Sequence, residues 1–182
     1  MVTVIDCPYG ADMKMSDTLE QAFNAQITLE FRASIVYRQL AIEMDDMDLP
    51  GVSGWLRNQA DEETVHANKF IDHVSDRGNH AVIGSIEGPS TEPITSVLQC
   101  FQAALAHEQK VSASVRNLYR TAQAEDDLDS RPLLDWFLSE QVEEEATVDE
   151  IIGRLKLIDN DGPGLLRLDS ELSTRPAVSA GA

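Results

Sequence analysis

Four long stretches of this chain repeat their apolar residues at alternating steps of four and three, and a glutamate breaks each repeat near its middle. Those steps belong to helices that bury one face against neighbouring helices. Glycine and proline gather around Pro50-Gly51, across 78–93, at Arg131-Pro132, across 160–164 and in the tail. The stretches between them cover 16–46, 52–77, 94–124 and 131–159. Ser16 followed by Asp17 and Glu20 predicts a helix start, and Thr91, Thr95 and Ser130 are further candidate caps. A short fifth helix is expected over 165–173, and Ala81-Val82-Ile83 is a candidate for extended backbone.

Loop lengths set the topology. The first and second helices are separated by about five residues and the third and fourth by about six, which makes each pair antiparallel neighbours. The link over 78–93 is longer: its sixteen residues reach roughly 50 Å, whereas a 28-residue helix is about 42 Å long. It can therefore run the length of a bundle and start the third helix parallel to the second. The expected fold is all-α, a four-helix bundle with one long crossover plus a short C-terminal helix. Residues 1–15 form an N-terminal extension, 16–160 the bundle, 161–174 the short helix and 175–182 a small, polar tail.

The inward positions of the first helix include Gln26, Glu30, Ala33 and Tyr37; those of the second, Gln59, Glu63, His66 and Phe70. The third contributes Ala104, Glu108 and Val111, and the fourth Phe137, Gln141, Glu144 and Val148. An unpaired buried carboxylate costs several kcal/mol, against a total stability of about 5–15 kcal/mol, and no Lys or Arg lies on these lines near the four glutamates. Protonation or trapped water could neutralise the layer, leaving a polar stratum that fixes helix register. Two divalent cations do so more simply, because their four positive charges match Glu30, Glu63, Glu108 and Glu144. Glu63 and His66 at i, i+3 face the same way, as do Gln141 and Glu144. Carboxylates with one imidazole suit Fe(II), Mn(II) or Zn(II).

The charge balance narrows the partners. Lys and Arg number 14 against 32 Asp and Glu, a net charge of −18, which opposes binding to nucleic acid or an anionic membrane surface and favours cations. No stretch approaches the roughly 18 apolar residues of a membrane span, and the first residues lack the pattern of a secretory leader. Cys7 and Cys100 are too few for a disulfide framework and too far apart for a metal knuckle. A reducing cytoplasm is the expected location.

LEFRASIVYRQL, ADEETVH, HEQ, WFLSEQVEEE and GLLRLDSELS, in this order over about residues 17–175, resemble the bacterial non-haem ferritins. The resemblance implies iron storage. Fe(II) would be oxidised by O2 or H2O2 at a di-iron ferroxidase centre inside each subunit, and ferric mineral kept in a hollow homo-oligomeric shell of twenty-four. Glu63 would bridge two irons, Glu30 and His66 would complete the first site and Glu108 and Glu144 the second, with Gln141 completing the centre. Glu62, Glu140 and Glu143 match positions that make a third iron site with Glu144; read alone, they are a solvated acidic face. Tyr37 matches a tyrosine used in electron transfer, and read alone is a core Tyr with a hydrogen-bonded hydroxyl. Trp136 reads as a packing residue, His73 as a core polar residue, and His107 as a supporting or surface group off the inward line.

Haem-binding relatives repeat Glu-x-x-His on two helices with a Met in the first gap. Here Thr64 and Val65 fill that gap and the second pair is Gln141 and Glu144, so haem is not expected. The DNA-protecting mini-ferritins lack the fifth helix and often carry basic tails. The competing readings are a ferritin-like di-iron or di-manganese oxidase acting on an organic substrate, and a helical cage without catalysis.

Overall fold

The computed structural model describes residues 13–90, 92–159 and 161–174. Five helices follow one another: α1 (Asp17–Asp46), α2 (Pro50–Asp76), α3 (Val97–Ala124), α4 (Arg131–Ile158) and α5 (Gly162–Leu172). No strand occurs among the described residues, and no helix is long and apolar enough to cross a membrane. Thr91, Cys7, most of the N-terminal extension and the tail from 175 lie outside the described residues.

Local chemistry explains the boundaries. Ser16 caps α1 by accepting from the Leu19 N–H at 3.2 Å, and Asp161 caps α5 through the Gly164 N–H at 2.8 Å. The start of α3 moves from the expected 94 to Val97, because Ser96 takes the capping role with the Gln99 N–H (3.1 Å) while Thr95 donates to the Gln99 side chain. Ser130 stands at the head of α4 but makes no capping bond. Its hydroxyl is held instead by His73 Nε2 at 2.9 Å and the Arg77 guanidinium at 3.3 Å. Pro50 opens α2 without a side-chain cap of its own, and Asp169 of α5 accepts from the Val52 N–H at 2.8 Å instead. That approach is close: a Cβ on Gly51 would sit 1.9 Å from the Asp169 carbonyl oxygen.

The crossover runs along α1. The Val82 N–H bonds Asn24 Oδ1 and the Gly84 N–H bonds Thr28 Oγ1, each at 2.9 Å, so the Ala81–Ile83 stretch is pinned to helix side chains and joins no ladder. Farther on, Pro89, Pro93 and Ile94 lie beside Gln39 and Glu43 near the end of α1. The chain thus traverses the bundle before α3 begins, and Phe101 meets Trp55 of early α2 with ring centroids 5.4 Å apart. α3 and α2 therefore run parallel, as the long link requires. The last residues of the N-terminal extension are also tied down. Met15 and Asn79 exchange two hydrogen bonds, and Arg77 reaches the Met13 carbonyl.

Two apolar clusters fill the interior. One, at the α5 end, packs Tyr37, Met44, Leu56, Phe101, Ile152 and Leu168; the other packs Leu19, Phe23, Phe70, Val115, Leu134 and Phe137. Between them lies a buried stratum of polar residues. Every inward position named above is buried, and His73 is half-buried.

Candidate metal centre

Glu30, Glu63 and Glu108 are fully buried, and Gln141, His66 and Glu144 nearly so. They occupy the middle turns of α1, α2, α3 and α4, where the inward line of each helix crosses the polar stratum. Ligand atoms of Glu30, Glu63 and His66 lie within 4.8 Å of one another, with His66 Nδ1 3.5 Å from Glu63 Oε2. Burial pushes Glu108 and Glu144 up to about 7, with the Glu108 charge adding to the effect on Glu144. Glu63 is held well above the usual carboxylate range by burial and by the charges of Glu108 and Glu144. Glu30 is held there by burial and by Glu63. Among the described residues, the only buried Arg or Lys is Arg77, and it belongs to the far end of the bundle, paired with Asp127 at 2.6 Å.

Outer residues each use one oxygen of a carboxylate. Gln26 Nε2 donates to Glu30 Oε1 at 2.6 Å, Gln59 Nε2 to Glu144 Oε2 at 2.8 Å, and the Tyr37 hydroxyl to Glu108 Oε1. The other oxygens of Glu30 and Glu108, both oxygens of Glu63, His66 Nδ1 and Gln141 Nε2 are sealed from solvent without a hydrogen-bond partner. A native interior leaves few such atoms, and here all but one, His107 Nε2, come from the inward lines of one stratum. The donor set is hard oxygen with one imidazole, which fits Fe(II), Mn(II) or Zn(II). Glu63, with two unpartnered oxygens, is the residue best equipped to span two cations.

His66 is also held in place. Its ring sits edge-on against Trp136 and Phe137, with centroids at 5.6 and 5.4 Å, and Lys69 Nζ lies 4.6 Å over the Trp136 ring. Trp136 is thus a packing residue whose contact reaches a candidate ligand. Tyr37 is buried at the edge of the centre, its hydroxyl pushed up by burial and by Glu108. His107 is off the inward line yet buried, not at the surface. Burial and the neighbouring Lys110 and Arg32 push its imidazole down to about 4.

The candidates for a third site divide. Glu140 is half-buried, and one of its oxygens lies within 4.8 Å of ligand atoms of both Glu144 and His66. Glu62 is half-buried, close enough for its charge to raise Glu144. Glu143 is exposed and joins no metal-sized cluster among the described residues. The sequence reading placed Gln26 and Gln59 on the buried line without giving them a task. Each stands one turn before a buried glutamate, which is the signal that could have found them. Ser112 and Ser114, which bond Gln141 and Gln26, leave no comparable trace.

Residues 20–158 match the model of the Ferritin family, described as a ferritin-like domain. The chain is 38% identical to the bacterial non-heme ferritin of Staphylococcus haemolyticus over 161 residues, 88% of this chain and 96% of that one. It is 33% identical to the bacterial non-heme ferritin of Escherichia coli O6:H1 over 154 residues, 85% and 93% of the two chains. Among solved structures, the open pore ferritin of the hyperthermophilic archaeon Archaeoglobus fulgidus superposes with a TM-score of 0.87 at 36% identity, covering 90% of this chain and 99% of that one. A closed form of the A. fulgidus ferritin, engineered by site-directed mutagenesis, gives 0.88 at 36%, covering 91% and 100%. Five helices in this order, a carboxylate stratum at their centre and a family match over most of its length make this chain a member of the ferritin family.

Proposed function

We propose that this protein stores iron. It takes up Fe(II) as substrate at the buried stratum, oxidises it to Fe(III), and keeps the ferric product inside a cytoplasmic shell of twenty-four copies. The observation that carries this reading is the set of unpartnered ligand atoms on Glu30, Glu63, His66 and Glu108, sealed where, among the described residues, no buried Lys or Arg lies beside them.

Glu30, Glu63 and His66 would hold one Fe(II), and Glu108 with Glu144 the other, Glu63 reaching both. Two irons give up one electron each to O2 or H2O2, so the oxidant receives a pair without a free radical step. Ionised carboxylates favour the more highly charged ferric product. Gln26, Gln59 and Tyr37 fix the outer oxygen of a carboxylate, so its inner oxygen needs little rearrangement when a cation enters. The Tyr37 hydroxyl meets Glu108, a ligand of the second ion, directly, and an electron-transfer role would rest on that contact. Glu140 and Glu62, half in solvent, make a third stopping point between the centre and the shell interior; Glu143 would join it only by turning inward.

The test is size-exclusion chromatography after aerobic addition of Fe(II), with iron and protein measured in each fraction. Storage requires many irons per subunit eluting with a very large particle. About two irons per subunit on a small oligomer would identify a di-iron oxidase instead. Glu63→Ala with His66→Ala should abolish rapid oxidation while the shell still forms.

A further inference from the structure

Ser112 is buried on α3, one turn beyond Glu108. Its Oγ lies 3.0 Å from Gln141 Oε1 and 2.5 Å from Glu145 Oε1. A serine hydroxyl carries a single proton, so it cannot donate to both oxygens. Glu145 is half-buried and faces the Arg116 guanidinium at 3.7 Å, and a carboxylate only accepts. The shorter and charge-assisted contact takes the proton. Ser112 then turns a lone pair to Gln141, and the amide group that answers a lone pair is the NH2. The two ends of an amide have nearly the same outline, so a half-turn about the last side-chain bond leaves packing unchanged. That turn puts the carbonyl oxygen at the position of Nε2, which is buried and faces Glu108 without a hydrogen bond of good geometry.

We infer that Ser112 and Glu145 are positioning residues that act through Gln141. The chain Arg116–Glu145–Ser112 aims the Gln141 carbonyl oxygen into the centre, where it serves the cation held by Glu108 and Glu144. With the opposite turn, an NH2 group would face that cation and repel it. A second amide of the stratum is set the other way. Ser114 donates to Gln26 Oε1 at 2.5 Å, which turns the Gln26 NH2 onto Glu30 at 2.6 Å. The sense of these two amides thus follows from the acceptors that each serine must satisfy.

The inference rests on the two-cation reading above, and the test separates the two. Zn2+ is titrated calorimetrically into the metal-free assembled protein at pH 7, with bound metal counted after dialysis. Wild type should take two ions at the stratum. In Glu145→Leu, Ser112 loses its charged acceptor, so its proton goes to Gln141 Oε1 and locks the NH2 inward. The second ion should bind at least tenfold more weakly, with the first, on Glu30, Glu63 and His66, unchanged. Ser112→Ala lets the amide turn freely and should weaken the second ion less than Glu145→Leu does. Adding Gln141→Glu to Glu145→Leu presents an oxygen in either turn and should restore it. Unaltered binding in Glu145→Leu, or a loss that Gln141→Glu fails to restore, overturns the positioning role. A wild type that binds no pair of ions overturns the two-cation reading itself, and this inference with it.

Discussion

Metal binding at this centre must expel protons, and the number can be worked out. Glu108 and Glu144 are pushed up to about 7 by burial, and Glu30 and Glu63 are held well above the usual carboxylate range. A group with a pKa of about 7 holds about 0.9 proton at pH 6 and about 0.1 at pH 8. Loading two cations ionises all four carboxylates. Glu108 and Glu144 together then lose about 1.8 protons at pH 6 and about 0.2 at pH 8, and Glu30 and Glu63 add up to one each at both. Every proton displaced lowers apparent affinity about tenfold per pH unit below 7. Those two groups alone make binding about a hundredfold weaker at pH 5 than at pH 6. Zn2+ titration calorimetry in buffers of different ionisation enthalpy reads the protons as the slope of observed heat against buffer heat. The release at pH 6 should exceed that at pH 8 by about 1.6 protons from Glu108 and Glu144, and Glu144→Gln should halve this difference. No difference between pH 6 and pH 8 would mean that burial does not hold protons on Glu108 and Glu144, and would refute the reasoning.

The same shifts act on stability with a definite sign. Because the folded-state pKa values of Glu108 and Glu144 lie above the unfolded ones, the metal-free protein is favoured below about pH 4.5 and loses that advantage as pH rises through 7. The loss is about 3 kcal/mol per group. Denaturant midpoints should therefore fall from pH 5 to pH 8 in the metal-free wild type, fall less in a Glu108→Gln/Glu144→Gln variant, and recover on adding Zn2+. Tyr37→Phe should slow Fe(II) oxidation, measured by stopped-flow absorbance, without changing particle size, since it removes the hydroxyl on Glu108 but keeps the buried ring. Asp169→Ala should cost about 1 kcal/mol as a lost helix cap. Gly51→Val should do more and release α5, read as faster amide exchange over Gly162–Leu172, because a Cβ at residue 51 collides with the Asp169 backbone. Protected amides in α5 of that variant would count against the close packing.

The helices, their order and the buried stratum were legible because each depends on spacing along one chain segment. A seam at steps of four and three survives any detail of packing, and a glutamate on it is conspicuous. The start of α3 was misread because Thr95 and Ser96 are both good caps, and the choice turns on which reaches the Gln99 N–H. Ser130 looks like a cap, but a buried Arg77 and His73 from another helix claim its hydroxyl. The cap of α2 was out of reach: it comes from Asp169, 117 positions away. His107 reads from sequence as either a supporting or a surface group for a related reason, and it is buried. A helix in a bundle buries more than its inward line, and the flank of α3 that carries His107 is covered by α1, whose Arg32 is one of its charged neighbours.

Gln26, Gln59 and Tyr37 show how such a centre survives without its cations. Each sends a donor to one carboxylate oxygen, and on Glu30 and Glu108 the other is left bare. Donors on every oxygen would satisfy the interior and close the site, and no donors would leave four carboxylates needing protons or metal before the chain could fold. Half-satisfaction keeps the ligands aimed while a proton holds the place of each missing charge, and the apolar clusters on either side supply the stability that this stratum withholds. Replacing Gln26 or Gln59 by Leu therefore has a worked consequence. The partner glutamate loses the hydrogen bond that lowers its pKa, holds its proton to higher pH, and binds its cation more weakly at pH 7, although neither residue touches the metal. Zn2+ affinity at pH 7 that is unchanged in both variants would show that the outer donors only fill space.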